Sequence, residues 1–354
     1  MNIPLMRLLN QQIISPQFTR PEEVVDWMGA VQAQDLKAAE WAIGLRTKRC
    51  VKDDVVKALA EGKILRVHVM RPTWHFVSAS DIHWMLRLSR DNVERVYASF
   101  IKSLGIVINE QDYGRSMEVM RRVLEDVRSL TLDELTIAFG NSGLPATEFH
   151  VKAYVWRAES RAVVCGGSLR DGKITFMLID KQAPSPKELT REEALARLAE
   201  KYFRSHSPAT QQDFAWWSGL SMADIRMAMT LIGDKLEKEE VKGRTFYIHH
   251  DCRTRGHYLG SMTLLPPYDE YLLGYKDRTD VLPEPLYRKA FNAHGIFYRI
   301  IQQGGQIVGN WNEKKSRQMD IDLSFFCKGF IPKAEAMEKA IKRYKDYLQS
   351  SFGL

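Results

Sequence analysis

Ala209-Thr-Gln-Gln-Asp-Phe-Ala-Trp-Trp-Ser-Gly-Leu-Ser-Met-Ala-Asp224 is the stretch that decides how this chain is read. Thr210 stands where a helix N-cap would, and Asp213 follows at the third helical position, so together they satisfy the unpaired amides of a first turn. The helix they open runs through Trp216 and Trp217 and stops at Gly219. Ser221 and Asp224 then repeat the arrangement, and two capped helices separated by so short a break have the sequence shape of a helix-turn-helix. A helical run from Arg191 to Phe203 precedes them. The turn Lys242-Gly243-Arg244 and the strand-like Thr245 to His249 follow, so the unit reads helix, helix, helix, strand, turn, strand.

The same order of elements occurs twice more. In the middle of the chain a helical run from Gly114 to Val127 leads to the capping box Thr131-Leu-Asp-Glu134, a stop at Gly140 and a helix from about Thr147 to Glu159. Two apolar runs, Arg161 to Ser168 and Ile174 to Asp180, flank Arg170-Asp171-Gly172-Lys173, and Asp-Gly between apolar runs is a strong hairpin signal. Nearer the start, Pro21 opens a helix, Asp35 can cap the next (Leu36 to about Arg46), and Asp53 to Glu61 makes a third. Ile64 to Met70 and Thr73 to Ser78 then form strands joined at Arg71-Pro72. From about Gly256 the pattern changes: Ile296 to Gln302, Gln306 to Trp311 and Met319 to Phe326 read as strands, with a turn at Gly304-Gly305 and a basic amphipathic helix from Pro332 to Leu348. The expected fold class is therefore α+β: three tandem winged-helix units over residues 1–95, 96–190 and 191–255, then a C-terminal β-barrel-like module with a terminal helix over 256–354.

Composition narrows the function. The 354 residues are 45% hydrophobic and 27% charged, an ordinary globular balance, and 51 Lys+Arg against 44 Asp+Glu leave a formal charge of +7. A modest basic excess suits a polyanionic partner, and winged helices in series place recognition helices in grooves and wings on the backbone. Cys50, Cys165, Cys252 and Cys327 form no Cys-x-x-Cys, so neither a disulfide framework nor a zinc ribbon is indicated. His249, Cys252 and His257 lack a fourth ligand and a known zinc spacing, and no metal or cofactor is expected. No Walker, Gly-x-Ser-x-Gly or Gly-x-Gly-x-x-Gly pattern occurs, which leaves nucleotide hydrolysis, hydrolase-elbow and dinucleotide chemistry unsupported. No run of eighteen apolar residues and no signal-like start occur, so a soluble, cytoplasmic, nucleoid-associated monomer without an obligate protein partner is expected.

Five segments, in order along the chain, resemble one family. They are Gly29-Ala-Val-Gln32-Ala-Gln34-Asp35, Arg66-Val-His68-Val-Met-Arg71-Pro-Thr-Trp-His75, Ala209-Thr210 to Leu220, Leu264-Leu-Pro-Pro-Tyr-Asp269 and Val308-Gly-Asn-Trp311. Together they are similar to the AlkZ/YcaQ-like winged-helix DNA glycosylases, and Gln32-Ala33-Gln34 matches the Gln-x-Gln motif of the AlkZ-like branch. That family usually has Gly where Pro72 stands. The resemblance implies a tandem winged-helix fold with a C-terminal β-barrel, and hydrolysis of the N-glycosidic bond of alkylated purines in double-stranded DNA, including unhooking of interstrand crosslinks. It places catalysis on Gln32 and Gln34.

Elementary chemistry is compatible with that assignment. Side chains two residues apart point about 200° apart on an α-helix, so the two glutamines can converge only where a helix ends, and the cap at Asp35 places a break there. An amide is no general base at neutral pH, but its carbonyl can hold a water in line for attack. A cationic N7- or N3-alkylpurine leaves as a neutral base, so holding the water can suffice, and neutral purines should be poor substrates. Without the family pattern, the glutamines would read as a helix end with solvated amides. Asp35 fits both an N-cap and a helper that stabilises positive charge.

Arg66, His68, Arg71 and His75 alternate with apolar residues, so the polar side chains should share one face of the first hairpin up to its turn. Lys63 and Arg71 are candidate phosphate contacts, and Arg66, His68 and His75 candidate DNA-facing groups, with satisfied buried imidazoles as the other reading of the histidines. Arg253 and Arg255 lie in a basic, aromatic-interleaved loop that suits a groove or an equally ordinary solvated surface. Trp41, Trp216 and Trp217 fit core stripes, and Asp269, in a Pro-Pro turn, should organise backbone. A non-catalytic DNA-binding protein or transcriptional regulator is the competing reading.

Overall fold

The computed structural model describes residues 1–183, 188–258, 260–314 and 320–350. By packing, the chain divides into two compact units. One gathers residues 1–56, 196–217 and 221–354, and the other residues 57–195 and 218–220.

Caps and turns set most element ends. Asn2 accepts the Leu5 amide (3.1 Å) to open α1 (Ile3–Asn10). Pro21 begins α2 (Pro21–Met28), and Gly29, at φ 80°, ends it and turns the chain into the short strand β1 (Ala30–Gln32). Asp35 caps α3 (Leu36–Gly44), accepting the Ala38 amide at 3.1 Å, and α4 (Lys52–Ala60) precedes β2 (Ile64–Val69) and β3 (Thr73–Ser78). The 22-residue α5 (Ile82–Ser103) and then α6 (Glu110–Glu125) follow. After β4 (Leu130–Thr131), the Thr131–Glu134 capping box forms as read and opens α7 (Leu132–Asn141). Next come α8 (Glu148–Ser160), β5 (Val164–Gly166) and β6 (Thr175–Leu178), the last two linked through a turn with Asp171 and Gly172 both at positive φ.

The deciding stretch folds as its caps direct. After α9 (Arg191–His206), Thr210 and Asp213 exchange hydrogen bonds to open α10 (Gln211–Ser218), and Ser221 caps α11 (Met222–Leu231). The strands β7 (Leu236–Val241) and β8 (Arg244–His249) pair as a hairpin. Then follow β9 (Met262–Leu265), α12 (Glu270–Leu273), α13 (Tyr287–Ala290), β10 (Ile300–Gln303), β11 (Gln306–Glu313), β12 (Ile321–Phe325) and α14 (Ala334–Gln349). The expected strand from Met319 begins outside the described residues.

In the second unit β3, β2, β5, β6 and β4 lie side by side in that order, so the first hairpin continues into the middle one through Arg66 and Gly166. A Cβ on Gly166 would stand 3.1 Å from the Arg66 carbonyl, a close approach that glycine permits. Helices α6, α7 and α8 bury Met120, Leu124, Leu135, Phe139 and Tyr154 beside this sheet's Val164 and Phe176.

In the first unit β12, β11, β10 and β9 form one antiparallel sheet. Trp41 and Trp311 anchor it by donating to the carbonyls of Leu264 (2.8 Å) and Leu265 (2.7 Å). Tyr344 of α14 packs on both indoles, at 5.0 and 4.8 Å between ring centres.

The expected fold class needs correction. The chain is mixed α/β with several sheets, and among the described residues no sheet is closed into a barrel. β9 and β12 are the two edges of a four-stranded sheet, too few strands to curl round a filled interior. Alternating strands and a Gly-Gly turn look the same in an open sheet as in a barrel. In the second unit the hairpins β2–β3 and β5–β6 share one ladder. Trp41 and Trp217 are core residues as expected, whereas Trp216 is 39% exposed, with its indole N–H donating to the Leu273 carbonyl at 3.0 Å and the Arg278 guanidinium over its ring at 5.3 Å.

Candidate active site

In the first unit Gln32 ends the strand β1 and Gln34 stands in the bend between it and the start of α3. The break is thus wider than the cap at Asp35 alone suggests, and the strand ends at Gln32, two residues before Gln34. The end of α2 is held by cations. Lys201 and Arg204 from α9 reach the Asp26 carboxylate at 2.7 and 3.1 Å and its carbonyl at 3.0 and 2.7 Å, so positive charge sits on the helix C-terminus. Burial alone would raise the Asp26 pKa, but the two cations together bring it below its ordinary value. A Cβ on Gly29 would lie 3.1 Å from Lys201 Cβ, so the turn that launches the glutamine segment has no room for a side chain.

Ala30, Val31 and Ala33 are buried, Gln32 is 7% exposed, and Gln34 and Asp35 are exposed. The Asp35 carboxylate caps α3, which keeps it fixed beside the segment.

Behind Gln32 lies a residue that the sequence reading passed over. Glu270, fully buried, accepts the Gln32 amide N–H on Oε1 at 2.9 Å and the Trp217 indole N–H on Oε2 at 3.1 Å. His206 Nε2 lies 3.5 Å from the same Oε2, and burial pushes this imidazole below its ordinary pKa against the pull of Glu270. Asp269 organises backbone as expected. It caps α12 through the Tyr271 amide (2.9 Å) and takes both arms of buried Arg46 at 2.9 Å. The adjoining acid in Pro-Pro-Tyr-Asp-Glu was the only sequence signal for Glu270.

The hairpin residues belong to the second unit. Cross-strand register pairs Arg66 with Phe76, His68 with Trp74 and Val67 with His75. Arg66 and His68 therefore share a face with Trp74, while His75, fully buried, lies on the opposite face with Val67. The polar face holds for Arg66 and His68 up to the turn, and the alternation runs unbroken through it, so Trp74 and Phe76 join that face and His75, one step off, does not. His75 Nδ1 donates to the Thr73 carbonyl at 2.8 Å. The Arg66 guanidinium lies over the Trp74 ring at 4.2 Å, and His68 stacks on the same indole at 3.9 Å. His68 Nδ1 meets buried Glu159, also unforeseen, at 2.6 Å. Arg71 is half-buried at the turn, and exposed Lys63 lies 2.7 Å from Glu61.

In the first unit Arg253 is spent locally. Its guanidinium donates to the Ser15 carbonyl (2.9 Å), its amide donates to Asn10 Oδ1 (2.8 Å), and burial lowers its pKa. Arg255 is exposed. Among the described residues no group of three His, Cys, Asp or Glu side chains is placed to hold a metal ion, and no helix is long and apolar enough to cross a membrane.

Residues 25–347 match a family model described as DNA glycosylase AlkZ-like. An interstrand DNA cross-link repair glycosylase from Streptomyces sahachiroi is 25% identical over 327 residues, covering 86% of this chain and 85% of that protein. The structure of the Streptomyces sahachiroi DNA glycosylase AlkZ has the same fold, with a TM-score of 0.80 at 22% identity over 98% of this chain and 95% of that one. The family match spans nearly the whole chain and includes the Gln-x-Gln segment, its anchor Glu270 and the hairpin, and the protein belongs to the AlkZ-like winged-helix DNA glycosylase family.

Proposed function

We propose that this protein is a monofunctional DNA glycosylase that hydrolyses the N-glycosidic bond of cationic N7- or N3-alkylated purines in double-stranded DNA, including those in interstrand crosslinks. The observation that supports it best is the Gln32-Ala33-Gln34 segment between α2 and α3, tied at Gln32 to a buried carboxylate, within the region matched by the glycosylase family.

In this reading the side-chain carbonyls of Gln32 and Gln34 accept hydrogen bonds from one water and aim its oxygen at C1′. The C1′–N bond breaks and its electron pair goes to the purine, which leaves neutral. The water oxygen bonds C1′ and its proton passes to solvent. Asp35 acts as a helper by placing negative charge near the oxocarbenium-like centre. Neither a metal nor a redox cofactor enters these steps. Lys63, Arg71 and Arg255 serve as phosphate contacts. Arg66 and His68, packed on Trp74, are candidate DNA-facing groups that must first be uncovered, while His75 and Arg253 each support the fold of their own unit.

The test is release of N7-methylguanine from a labelled duplex, read as abasic sites. Wild type should excise without strand incision, and Gln32→Ala and Gln34→Ala should each slow single-turnover excision by roughly 100-fold. A wild type that releases no base from a panel of N7- and N3-adducts overturns the proposal.

A further inference from the structure

We infer that Glu270 is a positioning residue for the Gln-x-Gln segment: its buried carboxylate locks the backbone of Gln32 against Trp217 and so sets where the Gln32 side chain holds water. The inference rests on the glycosylase reading above.

Three observations converge on it. First, Glu270 is fully buried, and a carboxylate removed from water is strongly disfavoured unless its oxygens are matched by donors. Second, the donors are divided between the two oxygens, the Gln32 main-chain amide on one and the Trp217 indole on the other, and bonds to an ionised acceptor are short, strong and directional. Third, the carboxylate is itself immobilised. Asp269, the cap of the short helix that Glu270 begins, is gripped by both arms of Arg46. The Glu270 carbonyl accepts from Gln11 at 3.3 Å, and any Cβ on Gly274 would fall 2.7 Å from that same carbonyl. Arg46 also donates to the Ala42 carbonyl of α3 at 2.9 Å, so the helix that follows the glutamines is tied to the same buried network.

A carboxylate suits this post better than its neutral isostere. It offers two acceptors and no donor, whereas a glutamine offers one acceptor and turns an NH2 toward the other N–H. Glu270→Gln therefore keeps the volume and turns an N–H toward either the Gln32 amide or the Trp217 indole. Removing the competing donor with Trp217→Phe frees the new amide to turn its oxygen to Gln32. This predicts an unusual order of rates: the double variant should excise faster than Glu270→Gln alone. A residue that merely supports the fold would give the reverse, because two core changes should be worse than one.

The experiment combines single-turnover excision of N7-methylguanine, duplex affinity, and hydrogen exchange of the Gln32 amide in the full chain. Expected are a slowly exchanging Gln32 amide in wild type and a drop in excision of roughly 10- to 100-fold in Glu270→Gln with duplex affinity unchanged. Faster Gln32 exchange in that variant and partial rescue by Trp217→Phe complete the prediction. Wild-type excision rates in Glu270→Gln, or no rescue, overturn the positioning role alone. A wild type that releases no base overturns the glycosylase reading and the role that rests on it. Should Glu270→Gln fail to fold, wild type decides: rapid exchange of the Gln32 amide overturns the inference.

Discussion

Gly29 shows how much one residue can carry. It ends α2 at φ 80°, and its missing side chain lets Lys201 approach, so the turn into the glutamine segment depends on both its conformation and its size. Gly172, at φ 76° in the middle hairpin, needs only the conformation, since nothing lies within 4 Å of where its Cβ would stand. Alanine at either position should cost about 1–2 kcal/mol of backbone strain. Gly29→Ala should in addition push on the Lys201 stem and displace Gln32, so excision should slow at least several-fold in Gly29→Ala and stay at the wild-type rate in Gly172→Ala. Matched melting curves and single-turnover rates for the two variants check this; equal activity would mean that the turn does not govern the site.

At the scale of elements, what was legible followed from how local its physics is. The capping boxes at Thr131 and Thr210 and the Asp-Gly hairpin form as read, because each is closed by atoms a few residues apart. For the same reason Thr131→Ala should destabilise the protein by about 1 kcal/mol in urea unfolding and Thr131→Ser should recover most of it, whereas an unchanged midpoint would show the box to be idle. Elements without such marks escaped. The long α5 begins at Ile82 after an Asp81 that makes no side-chain capping bond, and β9 is a four-residue apolar run whose partner β10 lies more than thirty residues on. The glutamine pair was legible only through family resemblance, since no local rule distinguishes it from a solvated helix end. For Glu270 the neighbouring Asp269 marked the place but not the role, because its bond to Gln32 spans 238 residues. The β-barrel expectation failed at this scale too: strand patterns report which residues pair and face inward, and say nothing of whether the last edge meets the first.

For the whole molecule, buried histidines set the response to acid. Burial lowers the pKa of His206 against the pull of Glu270, and lowers that of His249 against Asp251. Both groups then titrate below their unfolded value near 6.5, so between the two values the unfolded chain binds more protons than the folded one. Their contribution to stability is complete above about pH 6.5 and is lost as pH falls through the window beneath it. Asp26 and Asp277, both lowered, act in the same direction, but only below their ordinary carboxylate range. Glu40 acts oppositely: burial raises its pKa, so it favours the folded state increasingly as the medium becomes acidic enough to protonate it. The histidines should therefore dominate between pH 7 and 5.5, and the melting temperature should be flat from pH 8 to 7 and drop by a few degrees by pH 5.5. A His249→Gln variant should show a shallower drop, because one of the imidazoles whose pKa burial lowers, His83 being another, no longer resists protonation. A melting temperature that holds or rises on acidification would mean that these imidazoles take up their proton in the folded state as readily as in the unfolded chain. The pocket around Glu270 would then tolerate a second charge, and Gln32 would be held less rigidly than its hydrogen bond to that carboxylate implies.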